Sequence, residues 1–478
     1  MKLRLNLIPI ILLLSAFFTT AQDDGTHYYR GVDLSYVNEM DDCGAIYRLN
    51  GEPVDAYQLF ADYGANLVRI RLWHTPDWTE YSIFDDVVRS FRRAKNAGMD
   101  TLLDFHYSDM WADPSRQNVP AAWADLDDKA LGDDVYDYTV DVLTRLDEMD
   151  LLPDLVQVGN EINSEILRQP DSPGYPINWE RNAYLINQSI HAVRDVAASA
   201  SSSPQIIIHI AQPENVEGWL LAATDAGVVD FDIIGISYYT GWSDHSLRTL
   251  GNFINQLRHR FGKEVMIVET AYPWTLGSVR ESATNIVDDT FLLDGYPASP
   301  EGQLDFMVDL TQTVYDAGGL GVIYWEPAWV STDCSTLWGQ GSHWENATFF
   351  DFRNDDEVLE GIEFLQADYM YPVDFSLSMI LEGEQPETVF LRADFTGMGR
   401  RLLSIPPAAD GRFVLNTRLP AGTEIHYQFF GALPANDDTA LIYGACLDEE
   451  GMFVLTVPIT ASDIQHTAGT CDVAIHPT

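Results

Sequence analysis

Short apolar runs alternate with longer amphipathic ones eight times between about residues 28 and 370, an order that few folds accommodate. The strand-like runs are Arg30–Tyr36, Asn66–Trp73, Met99–Tyr107, Pro153–Glu161, Pro204–Ala211, Phe231–Tyr239, Glu264–Tyr272 and Gly319–Trp329. Helix-period stretches fall between them at Val54–Tyr63, Asp85–Ala97, Asp134–Met149, Trp179–Ala198, Val216–Ala226, His245–Phe261 and Gly302–Ala317, with a last one near Val358–Gln366. Near-continuous Val/Ile/Leu runs are what strands buried on both faces require. Eight β-α units in one series predict a TIM (β/α)8 barrel. No Gly-rich phosphate loop follows the first strand, which argues against a dinucleotide-binding sheet.

After Tyr371 the pattern changes. Phe375–Leu381, Thr388–Phe395, Gly411–Thr417, Glu424–Phe430 and Met452–Pro458 are short, alternating and separated by Gly, Pro, Asn and Asp. These signals predict a smaller all-β sandwich domain over 373–478, behind a barrel over 22–372. Residues 1–21 carry Lys2 and Arg4, an apolar run from Leu5 to Phe18, and Thr19-Thr20-Ala21. That order predicts a secretory signal peptide cut after Ala21, hence a secreted or periplasmic protein with no membrane attachment after cleavage.

Export sets the context for charge and cysteine. The formal net charge is −46, from 27 Lys+Arg against 73 Asp+Glu. Such a surface repels nucleic acid and anionic lipid and disfavours polyanionic substrates, so a neutral partner fits better. The four cysteines allow three pairings in an oxidising compartment. Cys43–Cys334 and Cys446–Cys471 keep each bridge within one expected domain. The chain is read as a monomer.

Two of the buried strands stop on a carboxylate: Glu161 in Leu155-Val-Gln-Val-Gly-Asn-Glu-Ile162, and Glu269 in Val265-Met-Ile-Val-Glu-Thr270. A buried acid is costly unless something uses it. Strands four and seven converge across a barrel mouth, where barrel enzymes build their sites. Glycoside hydrolysis with retention needs one carboxylic acid for the leaving oxygen and one carboxylate to attack the anomeric carbon. Trp73, Trp111, Trp242, Trp325, Trp329 and Trp344 fall at strand exits or in the loops beyond, with Trp325 a candidate sugar platform. The long stretches Ser108–Lys129 and Pro273–Pro300 leave the same ends of strands three and seven. No zinc spacing and no serine-hydrolase elbow is present. No cofactor is needed.

The sequence closely resembles glycoside hydrolase family 53, the endo-β-1,4-galactanases. The resemblance rests on Asp104-Phe-His-Tyr-Ser-Asp-Met-Trp-Ala-Asp-Pro114 with Gln117, Pro120 and Ala122-Trp123, and on Arg69-Ile-Arg-Leu-Trp73. Gly235-Ile-Ser-Tyr-Tyr239, Tyr324-Trp-Glu-Pro-Ala-Trp329 and Gly341-Ser-His-Trp-Glu-Asn346 extend it. It implies Glu161 as general acid/base, Glu269 as nucleophile and β-1,4-galactan, a neutral polysaccharide, as substrate. It also implies that Asn160 bonds the sugar 2-hydroxyl and that Arg69 keeps a neighbouring carboxylate ionised, with Arg71 a rival on the same strand face. Asp33, His106, Asp109, Trp111, Tyr238, Trp325 and Glu326 are the further candidates for substrate contact. His106 is a candidate to orient a carboxylate, and Glu326 to hold a loop. Some bacterial members carry a calcium-binding run after the nucleophile. Here Thr275–Asn285 lacks that dense ligand spacing, so no metal is expected in this loop.

Overall fold

The computed structural model describes residues 28–169, 172–200, 202–279, 285–367 and 369, and eight strands beyond 371. The expected signal peptide lies outside the described residues, as does Cys446–Cys471. Eight parallel strands form a closed barrel: Tyr29–Asp33, Leu67–Leu72, Asp100–Phe105, Leu155–Val158, Gln205–Ala211, Ile233–Ser237, Glu264–Thr270 and Gly321–Tyr324. The first strand closes the barrel against the eighth, with Tyr29 opposite Gly321. Helices Ala56–Asp62, Phe84–Asn96, Asp128–Glu148, Trp179–Ala197, Pro213–Asp225, Leu247–Phe261 and Pro300–Asp316 alternate with the strands. The eighth position is taken by a 3-10 helix, Glu360–Gln366.

Where the boundaries differ from expectation, capping explains most of it. The helix after the third strand begins six residues before the expected Asp134, because the Asp127 side chain accepts from Ala130 N at 2.9 Å. The fourth strand ends at Val158, so Glu161 lies three residues beyond it.

Alternation along each strand builds two cores. Leu67, Leu102, Leu155, Ile207, Ile233, Met266 and Ile323 form an apolar layer inside the barrel. Their neighbours, such as Val68, Leu103, Val156, Ile208 and Ile234, pack outward in the cluster that includes the helices. Two residues further along, the inward positions turn polar at Arg69, Asp104, Gln157 and His209, and Ser237 joins them four residues after Ile233. A charged and hydrogen-bonded floor thus sits on the apolar layer at the carboxyl ends of the strands.

Cys43 and Cys334 are disulfide-bonded, with Cα atoms 5.8 Å apart. The bridge joins the segments after the first and eighth strands, on the same face as that floor. Beyond 371, two four-stranded sheets are present. One orders Phe413–Pro420, Pro372–Ile380, Ser462–Thr467 and Val473–Pro477. The other orders Gly399–Ile405, Val389–Phe395, Glu424–Phe430 and Phe453–Thr456. Tyr427 in the second sheet is 1% exposed, so its ring offers no face to a sugar.

Candidate active site

Glu269 reaches the barrel mouth through an irregularity. Val265 and Ile267 face the helices, and strict alternation would send Glu269 the same way. The register shifts here: Ile236 pairs with Ile267, but the next residue, Ser237, pairs with Glu269. The same slip appears against the eighth strand, between Val322 and Tyr324. A bulge of this kind re-aims the side chain that follows it. Glu161 arrives differently, on a bend where Gly159 has φ 88° and Glu161 itself φ 44°. Positive φ strains a glutamate, the sort of local cost found where a side chain must be aimed.

Both carboxylates line one cavity of about 530 Å³. Glu269 Oε1 lies 2.8 Å from Arg69 Nη2, and Tyr239 OH donates to its Oε2 at 3.1 Å. Glu161 Oε1 accepts from Ser237 Oγ at 2.7 Å. Burial pushes the Glu161 carboxyl well above the ordinary range, the Glu269 charge adds to the push, and Ser237 opposes it. Burial also raises Glu269, to about 7; Arg69 pulls it down, while Asp104 and Asp33 push it up. Two carboxylates facing each other cannot both ionise easily. The one held by a guanidinium and a phenol ionises first, and the proton remains on Glu161.

Arg69 is the hub of the floor. Its guanidinium also lies 2.8 Å from Asp33 and from Asp104, and donates to Asn160 Oδ1 at 2.8 Å. Burial acts against its charge, but Asp104, Glu269 and Asp33 raise its pKa further still. The Asn160 amide nitrogen donates to Ala112 O at 2.8 Å, so both ends of that side chain are pinned. Arg71, the rival, pairs instead with Glu326 at 2.7 Å and lies 4.3 Å from the Trp111 ring centroid.

A buried chain of groups continues from Glu161. Ser237 Oγ is 2.8 Å from His209 Nε2, and His209 Nδ1 is 3.0 Å from Gln157 Nε2. Burial drives the His209 imidazole well below its ordinary range, with Arg69 adding to the effect, so the ring is neutral. With the Ser237 hydroxyl donating to Glu161, its oxygen accepts from His209 Nε2–H, and His209 Nδ1 is left as the acceptor of the Glu161 N–H at 3.3 Å.

Of the sequence candidates, Asn160, Glu161, Glu269, Trp111, Trp242, Trp325, Trp329 and Trp344 line the cavity. The others do not. Tyr238 is a correction: its parity turns it outward among the helices, where its hydroxyl donates to His245 O. Tyr239 takes the place expected of it. Asp109 holds loop backbone instead of facing the cavity, accepting from Thr75 N at 2.9 Å and Ala121 N at 2.8 Å. Glu326 is fully buried between Arg71 and Tyr36 N, a loop-holding position. Asp33 stands behind Arg69 at 1% exposure. His106 bears on Asp104 at 3.0 Å and takes the Ala112 N–H, so the carboxylate it orients is not a catalytic candidate. Trp73 is buried edge-on against Trp111.

Tyr239, Ser237, His209, Gln157 and Trp338 were not expected at the site. His209 and Gln157 had a readable signal, each being the lone polar residue inside an apolar strand. The remaining wall is aromatic: Trp242, Trp325, Trp329, Trp338 and Trp344. Trp325 and Trp344 meet edge-on at 4.6 Å. Among the described residues no cluster of His, Cys, Asp and Glu suits a metal ion.

The family model described as Glycosyl hydrolase family 53 matches residues 29–365. An arabinogalactan endo-beta-1,4-galactanase of Cellvibrio japonicus (strain Ueda107) is 54% identical over 360 residues, 75% of this chain and 96% of that protein. The endo-beta-1,4-galactanase of Bacillus subtilis (strain 168) is 30% identical over 349 residues, 69% of this chain and 78% of that one. Among solved structures, the Ignisphaera aggregans GH53 catalytic domain has a TM-score of 0.64 at 32% identity, covering 71% of this chain and 96% of that domain. With its barrel, paired glutamates and aromatic cleft, this chain belongs to glycosyl hydrolase family 53.

Proposed function

We propose that the protein is a secreted endo-β-1,4-galactanase that cleaves internal bonds in the galactan of type I arabinogalactan with net retention. The observation that carries this reading is the pair of unlike glutamates at the base of a tryptophan-lined cleft, in a chain 54% identical to an arabinogalactan endo-beta-1,4-galactanase. Glu269, ionised beside Arg69, attacks the anomeric carbon while Glu161 gives its proton to the departing glycosidic oxygen. The galactosyl-enzyme ester then yields to a water molecule whose proton returns to Glu161, and the Glu269 carboxylate leaves.

Asn160, with one amide hydrogen committed to Ala112, keeps the other for a sugar hydroxyl. The tryptophans offer flat apolar faces to the C–H surfaces of the rings. The acidic surface suits a neutral chain. We assign the chemistry to 22–372 and an accessory role to 373–478.

A panel of galactan, mannan and xylan tests the substrate. Oligosaccharides should appear from galactan at a rate well above the other two, and release from mannan or xylan alone would overturn the assignment.

A further inference from the structure

We propose that a second cavity, beside the catalytic cleft on the Glu161 side, is a distal sugar site that holds the polysaccharide beyond the cleaved bond. This rests on the galactanase reading and extends it. The cavity is about 860 Å³, larger than the cleft itself. It is built from the loops after strands three and four and from helix Pro213–Asp225 after strand five, and none of its walls comes from the Glu269 side.

One tight turn separates the two spaces. Asp113 and Arg116, bridged to each other, face the cleft, while Pro114 and Ser115 between them face the second cavity. A chain leaving the cleft past the proton donor crosses that turn directly. The sugar departing from Glu161 is the leaving-group side, so the occupant is the continuation of the same galactan.

The wall chemistry fits a neutral polyhydroxyl chain. Tyr175 stands at the rim with 71% of its surface exposed, a large aromatic face turned largely to solvent. Trp179 lies inside, edge-on to Trp219 at 5.2 Å. Concave sites of roughly 300–1,000 Å³ with aromatic walls and a few polar groups are the usual small-ligand geometry. Arg168, the cation on the wall, spends Nη2 on Ser115 O, and the net charge of the protein repels anions. Ser164 Oγ and Trp219 Nε1, both in wall residues, are buried without hydrogen-bond partners. Both atoms are covered by protein, so a sugar pairs with the serine hydroxyl only when that side chain turns toward the cavity.

Gly218 supplies the test, because a Cβ there meets nothing within 4 Å and the residue sits in helix Pro213–Asp225. Gly218→Leu narrows the cavity with a better helix former, so folding is not at risk. Gly218→Leu and Tyr175→Ala should each raise KM for long galactan about five- to tenfold. Turnover of β-1,4-galactotriose should stay within about twofold, since one aromatic contact outside the cleft does not touch the reacting bond. Unchanged KM on long galactan, or an equal loss on both substrates, overturns the proposal.

Failure of the galactanase reading would look different: wild type would leave galactan intact. In that event native gels containing galactan, mannan or xylan decide the cavity alone. Retardation by one of them that Gly218→Leu removes supports a glycan site, and its absence with all three overturns it.

Discussion

Glu269→Ala is expected to lower kcat on β-1,4-galactan about 10⁴-fold or more, the scale seen when a nucleophile is removed from a catalytic unit. The loss follows from the ion pair with Arg69 and the Tyr239 hydrogen bond, which make Glu269 the group that ionises first. Without that carboxylate no galactosyl-enzyme ester forms. Glu161→Ala should fail differently. Substrates with a good leaving group need little proton donation, so the ester should still form on an aryl β-galactobioside and then accumulate for want of a general base. Added azide separates the two roles. It should restore Glu161→Ala by attacking the ester and give a β-glycosyl azide. In Glu269→Ala it occupies the space of the missing carboxylate and gives the α product. The reverse pattern of azides would exchange the assignments.

Arg69→Met should cost about 3–5 kcal/mol of stability, because it strips the cation from Asp33, Asp104 and Glu269 and leaves buried carboxylates facing one another. Urea unfolding measures this. The same substitution shifts the pH profile in a defined direction. Arg69 lowers the Glu269 pKa, so its loss raises it. The nucleophile must be ionised, and the acidic limb of kcat/KM therefore moves to higher pH. Asn160 also loses the donor on its Oδ1, so KM should rise together with the limb. Arg69→Lys keeps one charge but cannot serve four acceptors with a planar fork, and should fall between the two. An unmoved acidic limb in Arg69→Met would show that another group controls the nucleophile.

The barrel was legible because buried parallel strands and amphipathic helices have different periods, and the two alternated without interruption. The glutamates were legible because a carboxylate closing an apolar run is expensive. Their aiming was not. Glu269 enters the mouth through a register slip between strands, which depends on neighbours far away in sequence. Tyr238 and Tyr239 show the same limit: adjacent residues face opposite sides, and only the observed parity puts Tyr239 on Glu269.

Arg69 and Arg71 share an inward face, and their partners come from strand seven for Glu269 and from just beyond strand eight for Glu326. The second cavity was invisible for a related reason. Ser115, Ser164, Tyr175 and Gly218 converge from two separate loops and one helix, and no local pattern joins them.

The central claim is retaining cleavage of galactan by Glu161 and Glu269. Proton NMR of the reducing ends, recorded in the first minutes after enzyme meets β-1,4-galactan, tests it most directly. Newly formed ends should appear as the β anomer and only later equilibrate with the α form. First appearance as the α anomer would contradict a covalent intermediate on Glu269, and no new reducing ends at all would contradict the substrate.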